Sequence, residues 1–131
     1  MRIYHLNDWQ GLNLMATCLT QDVAMFKIET KTGKLILLQR FQGDFSAKEA
    51  SLNQVVLSID NKLLATAGDD GVVRVYQLSD DFKSVSNKLE LKNCGEMPHT
   101  SVDLNRDNSL LVAASKDANA YIVDLKSQRV I

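Results

Sequence analysis

The side chains that could do chemistry in this chain are its carboxylates, its two histidines and its two cysteines. The sequence contains no Gly-x-Ser-x-Gly, His-Glu-x-x-His or Gly-x-Gly-x-x-Gly pattern, and no phosphate-binding loop with Lys-Ser or Lys-Thr. Several carboxylates are scattered at predicted turns and strand ends, where solvated charge is the normal state: Glu29, Asp44, Glu49, Asp80 and Asp81. We therefore expect no catalytic residue and no covalent catalysis.

The histidines and cysteines do not form a metal-binding pattern. His5 has no Cys, Asp or His at ligand spacing, so we predict no metal site. His99 follows Pro98 and precedes a predicted strand, and it is interpreted as an exposed loop residue. Cys18 and Cys94 lie in unrelated contexts, so no disulfide framework is expected, which suits a reducing compartment.

Aspartates next to small residues mark two turns, one at 68–71 and one at 115–118. Aspartate accepts hydrogen bonds from local backbone N–H groups, and glycine supplies the backbone angles that tight turns need. The residues predicted to build these turns are Gly68, Asp70, Gly71 and Asp117. Asp69 and Lys116 are the turn residues that we expect to be available to a partner, because loops carry most binding contacts.

These turns belong to an internal repeat. Residues 58–78 recur in weaker form at 105–125, with an offset of 47 positions. The two copies agree at Asp60/Asp107, Asn61/Asn108, Leu63/Leu110, Leu64/Leu111, Ala67/Ala114, Asp70/Asp117 and Leu78/Leu125. Each copy has an apolar run, a turn and a second run rich in β-branched or aromatic residues, which predicts a β-hairpin. Further short runs before and after this hairpin bring the unit to four strands, the pattern of a propeller blade.

The segment 64–76 closely resembles the WD-repeat consensus, with Tyr76 where that family usually has Trp. The second copy is degenerate and has Val123-Asp124 at the Trp-Asp position. We therefore predict an all-β fold of WD-repeat β-propeller blades, about three in number, that does not close a ring. The predicted units are a degenerate first blade at 1–50, the best-matching blade at 51–96, and a degenerate, truncated blade at 97–131. A ring needs four or more blades, so we expect a fragment, an incomplete product, or a subunit completed by other chains.

Residues 38–46 and 55–61, continuing to Tyr76, resemble one branch of this family more narrowly. That branch comprises the endoplasmic-reticulum exchange factors for the Sar-type small GTPase, the prolactin regulatory element-binding protein family. The resemblance implies a Sar-type GTPase as partner, a role in COPII vesicle formation, and a place on the cytosolic face of the endoplasmic reticulum through a C-terminal membrane helix. It also implies exchange by binding, with a potassium ion held by a glycine-rich loop on the first blade.

The chain departs from this branch where the glycine-rich loop is expected, because the segment 15–22 contains no glycine. Two alternatives follow: a WD-repeat scaffold without exchange activity, or a structural remnant that folds only inside a longer chain. The matches at 44–46 and 52–61 favour exchange, and the missing loop favours the scaffold. No cofactor is predicted from the residues themselves.

Charge and hydropathy exclude two classes of partner. The 15 basic and 16 acidic residues give a net charge of −1, so nucleic-acid binding is not expected. No apolar run approaches the ~20 residues that span a bilayer, and the first residues lack a signal-peptide core. We expect this segment to be soluble, with no direct insertion into a membrane, and Trp9 to pack on the first blade.

Overall fold

Twelve β-strands in three four-stranded sheets make up the computed structural model, which describes residues 2–9, 12–19, 21–42 and 51–131. The first sheet contains β1 (Arg2–Trp9), β2 (Leu12–Leu19), β3 (Asp22–Glu29) and β4 (Lys34–Gln42). The second contains β5 (Leu52–Leu57), β6 (Leu63–Gly68), β7 (Val73–Leu78) and β8 (Val85–Leu91). The third contains β9 (His99–Leu104), β10 (Leu110–Ser115), β11 (Ala120–Asp124) and β12 (Arg129–Val130). The all-β prediction is confirmed.

Each sheet is a meander in which every strand pairs antiparallel with the strand before it. The hairpins follow from the sequence, since β6 and β7 carry Ala, Val, Thr and Tyr on either side of the Asp-Asp-Gly turn. The sequence interpretation placed the β6–β7 and β10–β11 hairpins but did not predict β1, which adds a fourth strand to the first sheet.

The three sheets are stacked through two hydrophobic clusters. The first cluster lies between the first and second sheets and includes Leu14, Met25, Val55, Leu64 and Tyr76. The second cluster lies between the second and third sheets and includes Val56, Val73, Val102, Leu111 and Val123. Because successive residues of a strand point to opposite faces, neighbours such as Val55 and Val56 enter different clusters. The second sheet is therefore buried on both faces.

The connections β5–β6, β7–β8 and β9–β10 share one turn conformation, which we call the recurring turn. Its third residue is an aspartate and its fourth has a positive φ, at Asn61 (58°), Phe82 (60°) and Asn108 (61°). In each copy the N–H of the fourth residue donates to the carbonyl of the first, which is Ser58, Ser79 or Asn105, at 3.0 to 3.1 Å. The aspartate, which is Asp60, Asp81 or Asp107, accepts a backbone N–H two residues later. Asparagine tolerates a positive φ better than most residues, so its presence at two of the three positions is explained.

Polar side chains also join the second sheet to the third. Asn108 donates through Nδ2 to both carboxylate oxygens of Asp60, at 3.1 and 3.0 Å. Further along the interface, the N–H of Val102 donates to Oε1 of Gln54 at 2.7 Å. Hydrogen bonds thus fix the register between these two sheets, in addition to apolar packing.

Candidate functional site

The predicted turn residues of the second and third sheets come together at one end of the stack. Here the β6–β7 turn, the connection from β8 to β9 and the β10–β11 turn meet. The N–H of Lys116 donates to the carbonyl of Pro98 at 2.9 Å, which joins the third turn to the connection. Gly71 lies against the same connection, with an ideal Cβ position only 2.8 Å from the Glu96 carbonyl oxygen.

Asp70 forms a buried ion pair with Arg74 beneath this end. Nη2 of Arg74 lies 2.7 Å from Oδ2 of Asp70, and the two side chains are 3% and 0% exposed. Oδ1 of Asp70 also accepts the N–H of Val72 at 3.2 Å. On the other side, Nε of Arg74 donates to Glu90 at 3.3 Å. Asp70 therefore closes its turn and also anchors the strand that follows.

Charge partners outweigh burial in this network. Burial lowers the pKa of Arg74, but the hydrogen bond and charge of Asp70 raise it more, so its pKa is above the ordinary value. Burial raises the pKa of Glu90, but hydrogen bonds from Lys88 and Lys92 reverse this, so its pKa is below the ordinary value. The ion pairs and hydrogen bonds thus favour the charged forms of Arg74 and Glu90 within a fixed structural cluster.

Gly71 is required by its conformation and by its neighbours. Its φ is +75°, a left-handed value that L-residues rarely adopt. The close approach of the Glu96 carbonyl leaves no room for a side chain. Glycine thus lets the connection 92–98 lie directly on the β6–β7 turn.

Asp117 occupies the equivalent turn of the third sheet but has a different partner. Its Oδ1 accepts the N–H of Asn119 at 2.9 Å, and its Oδ2 accepts the hydroxyl of Tyr121 at 2.5 Å. The Tyr121 hydroxyl bond holds the pKa of Asp117 below its ordinary value, and the same bond raises the pKa of Tyr121. Gly95, with φ +85°, packs so closely that an ideal Cβ would lie 2.6 Å from the Tyr121 oxygen.

The interpretation of His99 as an exposed loop residue is wrong. His99 is 0% exposed and is the first residue of β9, where it pairs with Ser115. Hydrogen bonds from Lys116 to Pro98 and from Asn53 to the His99 carbonyl hold this backbone onto the sheets. Neither contact could be inferred from the sequence.

The imidazole of His99 is buried, with the backbone of Ala114 and Gly71 close to it. Its ring meets Tyr121 edge to face, with centroids 6.2 Å apart. Burial lowers the pKa of His99, and the opposing influence of the Ala114 and Gly71 backbone and of Asp117 and Asp70 is weaker. Burial therefore favours the neutral form of the ring in the folded chain.

The two residues predicted to face a partner have different environments. Asp69 is half-buried, and its Oδ1 accepts Nδ2 of Asn53 at 2.8 Å while its N–H donates to Ser51 at 2.8 Å. Lys116 is exposed, and only its backbone is held by Pro98. The carboxylate of Asp69 is thus partly occupied by Asn53 and only partly accessible to a partner. Lys116, by contrast, is exposed to solvent.

Two further exposed residues at this end were not singled out from the sequence, Glu96 and Met97. Met97 is 48% exposed. The sequence feature that could have pointed to Met97 as a surface residue is its position directly before Pro98. We call Asp69, Glu96, Met97 and Lys116 together the turn surface.

Within the described ranges no three His, Cys, Asp or Glu residues are grouped in a way that could hold a metal ion. Cys18 and Cys94 are buried free thiols, and burial raises the pKa of Cys94. The potassium ion implied by the exchange-factor resemblance stays a prediction, because the segment 15–22 includes Thr20, which lies outside the described residues. In the described part, β2 ends at Leu19 and β3 begins at Asp22.

Comparison with known proteins gives the class of this chain. Residues 37–77 match the family described as WD domain, G-beta repeat. The C-terminal WD40 domain of Sif2 superimposes with a TM-score of 0.67 at 16% identity, over 91% of this chain and 32% of that one. A protein from Lactobacillus plantarum superimposes with a TM-score of 0.72 at 18% identity, over 98% of this chain and 40% of that one.

Residues 37–77 are thus similar to a WD repeat, and the fold of the three sheets is that of blades of an incomplete β-propeller. It spans 32% and 40% of the lengths of these two structural neighbours. No curated protein sequence matches it significantly. Among the residues described, no helix is long and apolar enough to cross a membrane.

Proposed function

We propose that this chain is part of a protein-interaction scaffold and that it binds a protein partner through the turn surface. The observation that carries the proposal is the exposed Met97, next to the exposed Glu96 on a connection whose backbone packs against Gly71. An apolar side chain surrounded by polar groups is the usual composition of a protein-binding hot spot. We expect binding alone, without covalent chemistry or a cofactor.

The rigidity of the turn surface supports this proposal. Asp69 is held by Asn53, and the connection carrying Glu96 and Met97 rests on Gly71. The turn carrying Lys116 is held by Pro98 and by the Asp117–Tyr121 bond. A surface that is ordered before binding loses little entropy when a partner docks.

Affinity capture with paired variants tests this function. We would compare proteins retained from a cell extract by the wild-type chain, by Met97→Asp/Lys116→Glu, and by Lys126→Glu as a control. Lys126 is exposed but lies in the β11–β12 turn, outside the turn surface. We expect specific partners to be lost only with the double variant. Retention of the same proteins by all three folded chains would contradict binding through the turn surface.

A more specific candidate is the propeller of a guanine-nucleotide exchange factor for a Sar-type small GTPase. Its support is the sequence resemblance over residues 38–125, of which 43–50 lie outside the described residues. In this role the chain would act at the cytosolic face of the endoplasmic reticulum and promote COPII vesicle formation. Exchange by binding requires only that the partner's nucleotide affinity falls when the GTPase is bound, through a coupling free energy.

The test is release of a fluorescent guanine nucleotide from a Sar-type GTPase, with and without this chain. Acceleration that increases with chain concentration supports the exchange role. A folded chain that binds the GTPase without accelerating release would support the scaffold function instead of the exchange function. A folded chain that neither binds nor accelerates release would rule out a Sar-type GTPase as the partner. The variant Met97→Asp/Lys116→Glu then shows whether the turn surface is the contact.

A further inference from the structure

The hairpin of β3 and β4 extends past the second sheet, at the end of the stack opposite the turn surface. Gln39 of β4 donates to the carbonyl of Phe82 at 2.8 Å, in the β7–β8 turn that closes this end of the second sheet. Beyond Gln39 the hairpin continues to its turn, where an ideal Cβ at Gly33 would have nothing within 4 Å. Residues 29–37 are all exposed, so the tip of the hairpin projects into solvent.

The part of β4 in this tip is apolar on both of its faces. Leu35, Ile36 and Leu37 are 45%, 41% and 56% exposed. Successive residues of a strand point to opposite faces, so Ile36 lies on one face and its two neighbours on the other. Ile36 shares its face with Met25, because it pairs with Lys27, two positions after Met25. The second sheet buries Met25 but leaves Ile36 exposed, and a further blade on the opposite face of the first sheet would leave Ile36 exposed as well.

The same residues lie on the edge strand of the first sheet. Among the described residues β4 pairs with β3 and with no strand on its other side. An edge strand presents unpaired N–H and C=O groups, which natural proteins usually protect with charged residues or proline. Residues 35–38 include neither. We call residues 34–38, with their unpaired backbone groups, the β4 edge.

The hairpin tip is basic beside this edge. Residues 27–34 include three lysines, at 27, 31 and 34, and one carboxylate, Glu29. All three lysines are exposed, whereas Oε2 of Glu29 accepts the hydroxyl of Thr32 at 2.7 Å. Because Lys27 pairs with Ile36 and Lys34 lies two positions before it, both ammonium-bearing side chains share the face of Ile36. The β4 edge therefore offers an apolar run with positive charge at its N-terminal end.

We propose that the β4 edge binds an extended segment of another protein as an added antiparallel strand. Backbone hydrogen bonds hold such a segment, and the side chains on the two faces of the edge select its sequence. Antiparallel pairing places the C-terminal end of the segment beside Lys34, because β4 begins there. The sequence that fits is therefore a short apolar run followed by acidic residues.

A second copy of this chain fits the β4 edge less well than an acidic segment does. Antiparallel pairing of two β4 edges over their apolar residues brings Lys34 of one copy close to Arg40 of the other. Parallel pairing in register sets Lys34 beside Lys34. Like charges at such positions destabilise paired strands, whereas opposite charges stabilise them. The charges of the tip thus favour a partner that supplies carboxylates.

Fluorescence anisotropy with a labelled peptide, Thr-Val-Ile-Val-Glu-Glu, tests strand addition. We expect saturable binding to the purified wild-type chain. The same peptide with an N-methyl group on its isoleucine cannot donate that N–H to the edge and should bind at least tenfold more weakly. A peptide ending in Lys-Lys should also bind at least tenfold more weakly, because it meets the lysines of the tip. No saturable binding of the first peptide, or equal binding of all three, would overturn the proposal.

Variants of the chain locate the binding site. Leu35→Thr/Leu37→Thr keeps residues that favour strands, and it should weaken binding of the acidic peptide at least tenfold while the β-sheet circular dichroism stays unchanged. Ile122→Thr is the matched control, because Ile122 is 44% exposed on a strand of the third sheet. That variant should bind as the wild type does. Equal binding by all three proteins, or equal losses in both variants, would place the peptide elsewhere and overturn the proposal.

Two further measurements separate this edge from other contacts. Lys27→Glu/Lys34→Glu should reverse the preference, so that the peptide ending in Lys-Lys binds more tightly than the acidic one. Met97→Asp/Lys116→Glu should bind the acidic peptide normally, because the turn surface lies at the other end of the stack. An unchanged preference in the first variant would overturn the proposed role of the lysines. A wild-type dimer in sedimentation equilibrium that Leu35→Thr/Leu37→Thr dissociates would assign the β4 edge to a second copy instead.

Discussion

Asn108 of the third sheet donates to both carboxylate oxygens of Asp60 in the second sheet, at 3.1 and 3.0 Å. Each residue belongs to a recurring turn, and each turn also closes its own hairpin. A residue that gives one turn its shape therefore also joins two blades. The bond is the clearest case in which the 47-residue repeat builds contacts between units as well as within them.

Replacing Asn108 by glycine should weaken the contact between the second and third sheets. Glycine keeps the positive φ of 61° while it removes the side-chain amide. We expect a loss of about 1–2 kcal/mol in unfolding free energy, since the hydrogen bonds reach a charged group. Urea unfolding followed by circular dichroism measures it.

Gln128→Gly is the matched control for that experiment. Gln128 also has a positive φ, 59°, and is exposed. This change should leave stability within about 0.5 kcal/mol of wild type, or raise it slightly. Equal losses for both glycine variants would mean that the Asn108–Asp60 bond contributes nothing.

Acid should destabilise the same contact through Asp60. Burial raises the pKa of Asp60, but hydrogen bonds from Ser58 and Asn108 lower it by a larger amount. The pKa of Asp60 in the folded chain is therefore below the ordinary value of 3.8. The unfolded chain therefore takes up this proton first, and the contribution of Asp60 is lost as pH falls below about 4. Stability of the wild type should fall more steeply there than that of Asn108→Gly. Parallel curves for the two proteins would contradict this role of Asn108.

His99 should add a second acid-sensitive step at higher pH. Burial lowers its folded pKa below the ordinary 6.5, so the unfolded chain binds a proton at pH values where the folded chain does not. Stability is fully present above pH 6.5 and is lost as pH falls toward the folded pKa, with a slope of at most about 1.4 kcal/mol per pH unit.

The variant His99→Phe isolates this effect, because it keeps a ring against Tyr121 and removes the titration. Unfolding free energies between pH 7.5 and 5.5 should show a smaller slope for the variant than for the wild type. Identical slopes would show that His99 titrates equally in both states, against its burial.

Alanine substitutions at Gly71 and Gly33 distinguish the cost of backbone strain from the cost of a steric clash. Both have positive φ, +75° and +68°, but an ideal Cβ meets the Glu96 carbonyl at Gly71 and nothing within 4 Å at Gly33. Gly33→Ala should cost about 1 kcal/mol, the strain of a left-handed L-residue. Gly71→Ala should cost at least twice that, about 2–4 kcal/mol. Thermal unfolding compares them, and equal costs would disprove close packing at Gly71.

Arg74 and Arg40 compare a buried ion pair with an exposed one. Arg74→Ala leaves the carboxylate of Asp70 buried without its partner and should cost about 3–5 kcal/mol. The Arg40–Asp22 pair has side chains 58% and 23% exposed, so Arg40→Ala should cost less than about 1 kcal/mol. Denaturant unfolding of both variants tests this contrast, and a small loss with Arg74→Ala would argue against a structural role for Asp70.

The sequence predicted the strands and turns well because each depends on neighbours along the chain. Alternating apolar residues and Asp-Gly signals are local, so β6, β7, β10 and β11 could be placed closely. β1 could not, since its apolar residues do not alternate cleanly and its pairing shifts register between Ile3 and His5. A bulge breaks the period on which this kind of prediction depends.

The sequence could not predict the roles of residues whose environment depends on contacts with a neighbouring sheet. Asp69 and Asp70 are adjacent and identical in type, yet Asp70 is buried with Arg74 while Asp69 bonds to Asn53 at the surface. His99 is buried because Asn53 and Lys116 hold its backbone, and Asn53 lies 46 positions away. Contacts over such distances need the stacked sheets before they can be seen.

The meander order of all three sheets also predicts how the chain folds. Within each sheet, every strand after the first pairs with its immediate predecessor in sequence, so each sheet can form through short loops before any sheet meets another. The N-terminal sheet can form while later residues are still being synthesised, and each following sheet then finds an existing surface on which to dock. When the sheets dock in the order of their synthesis, at most one apolar sheet face is exposed at any time before the next sheet covers it.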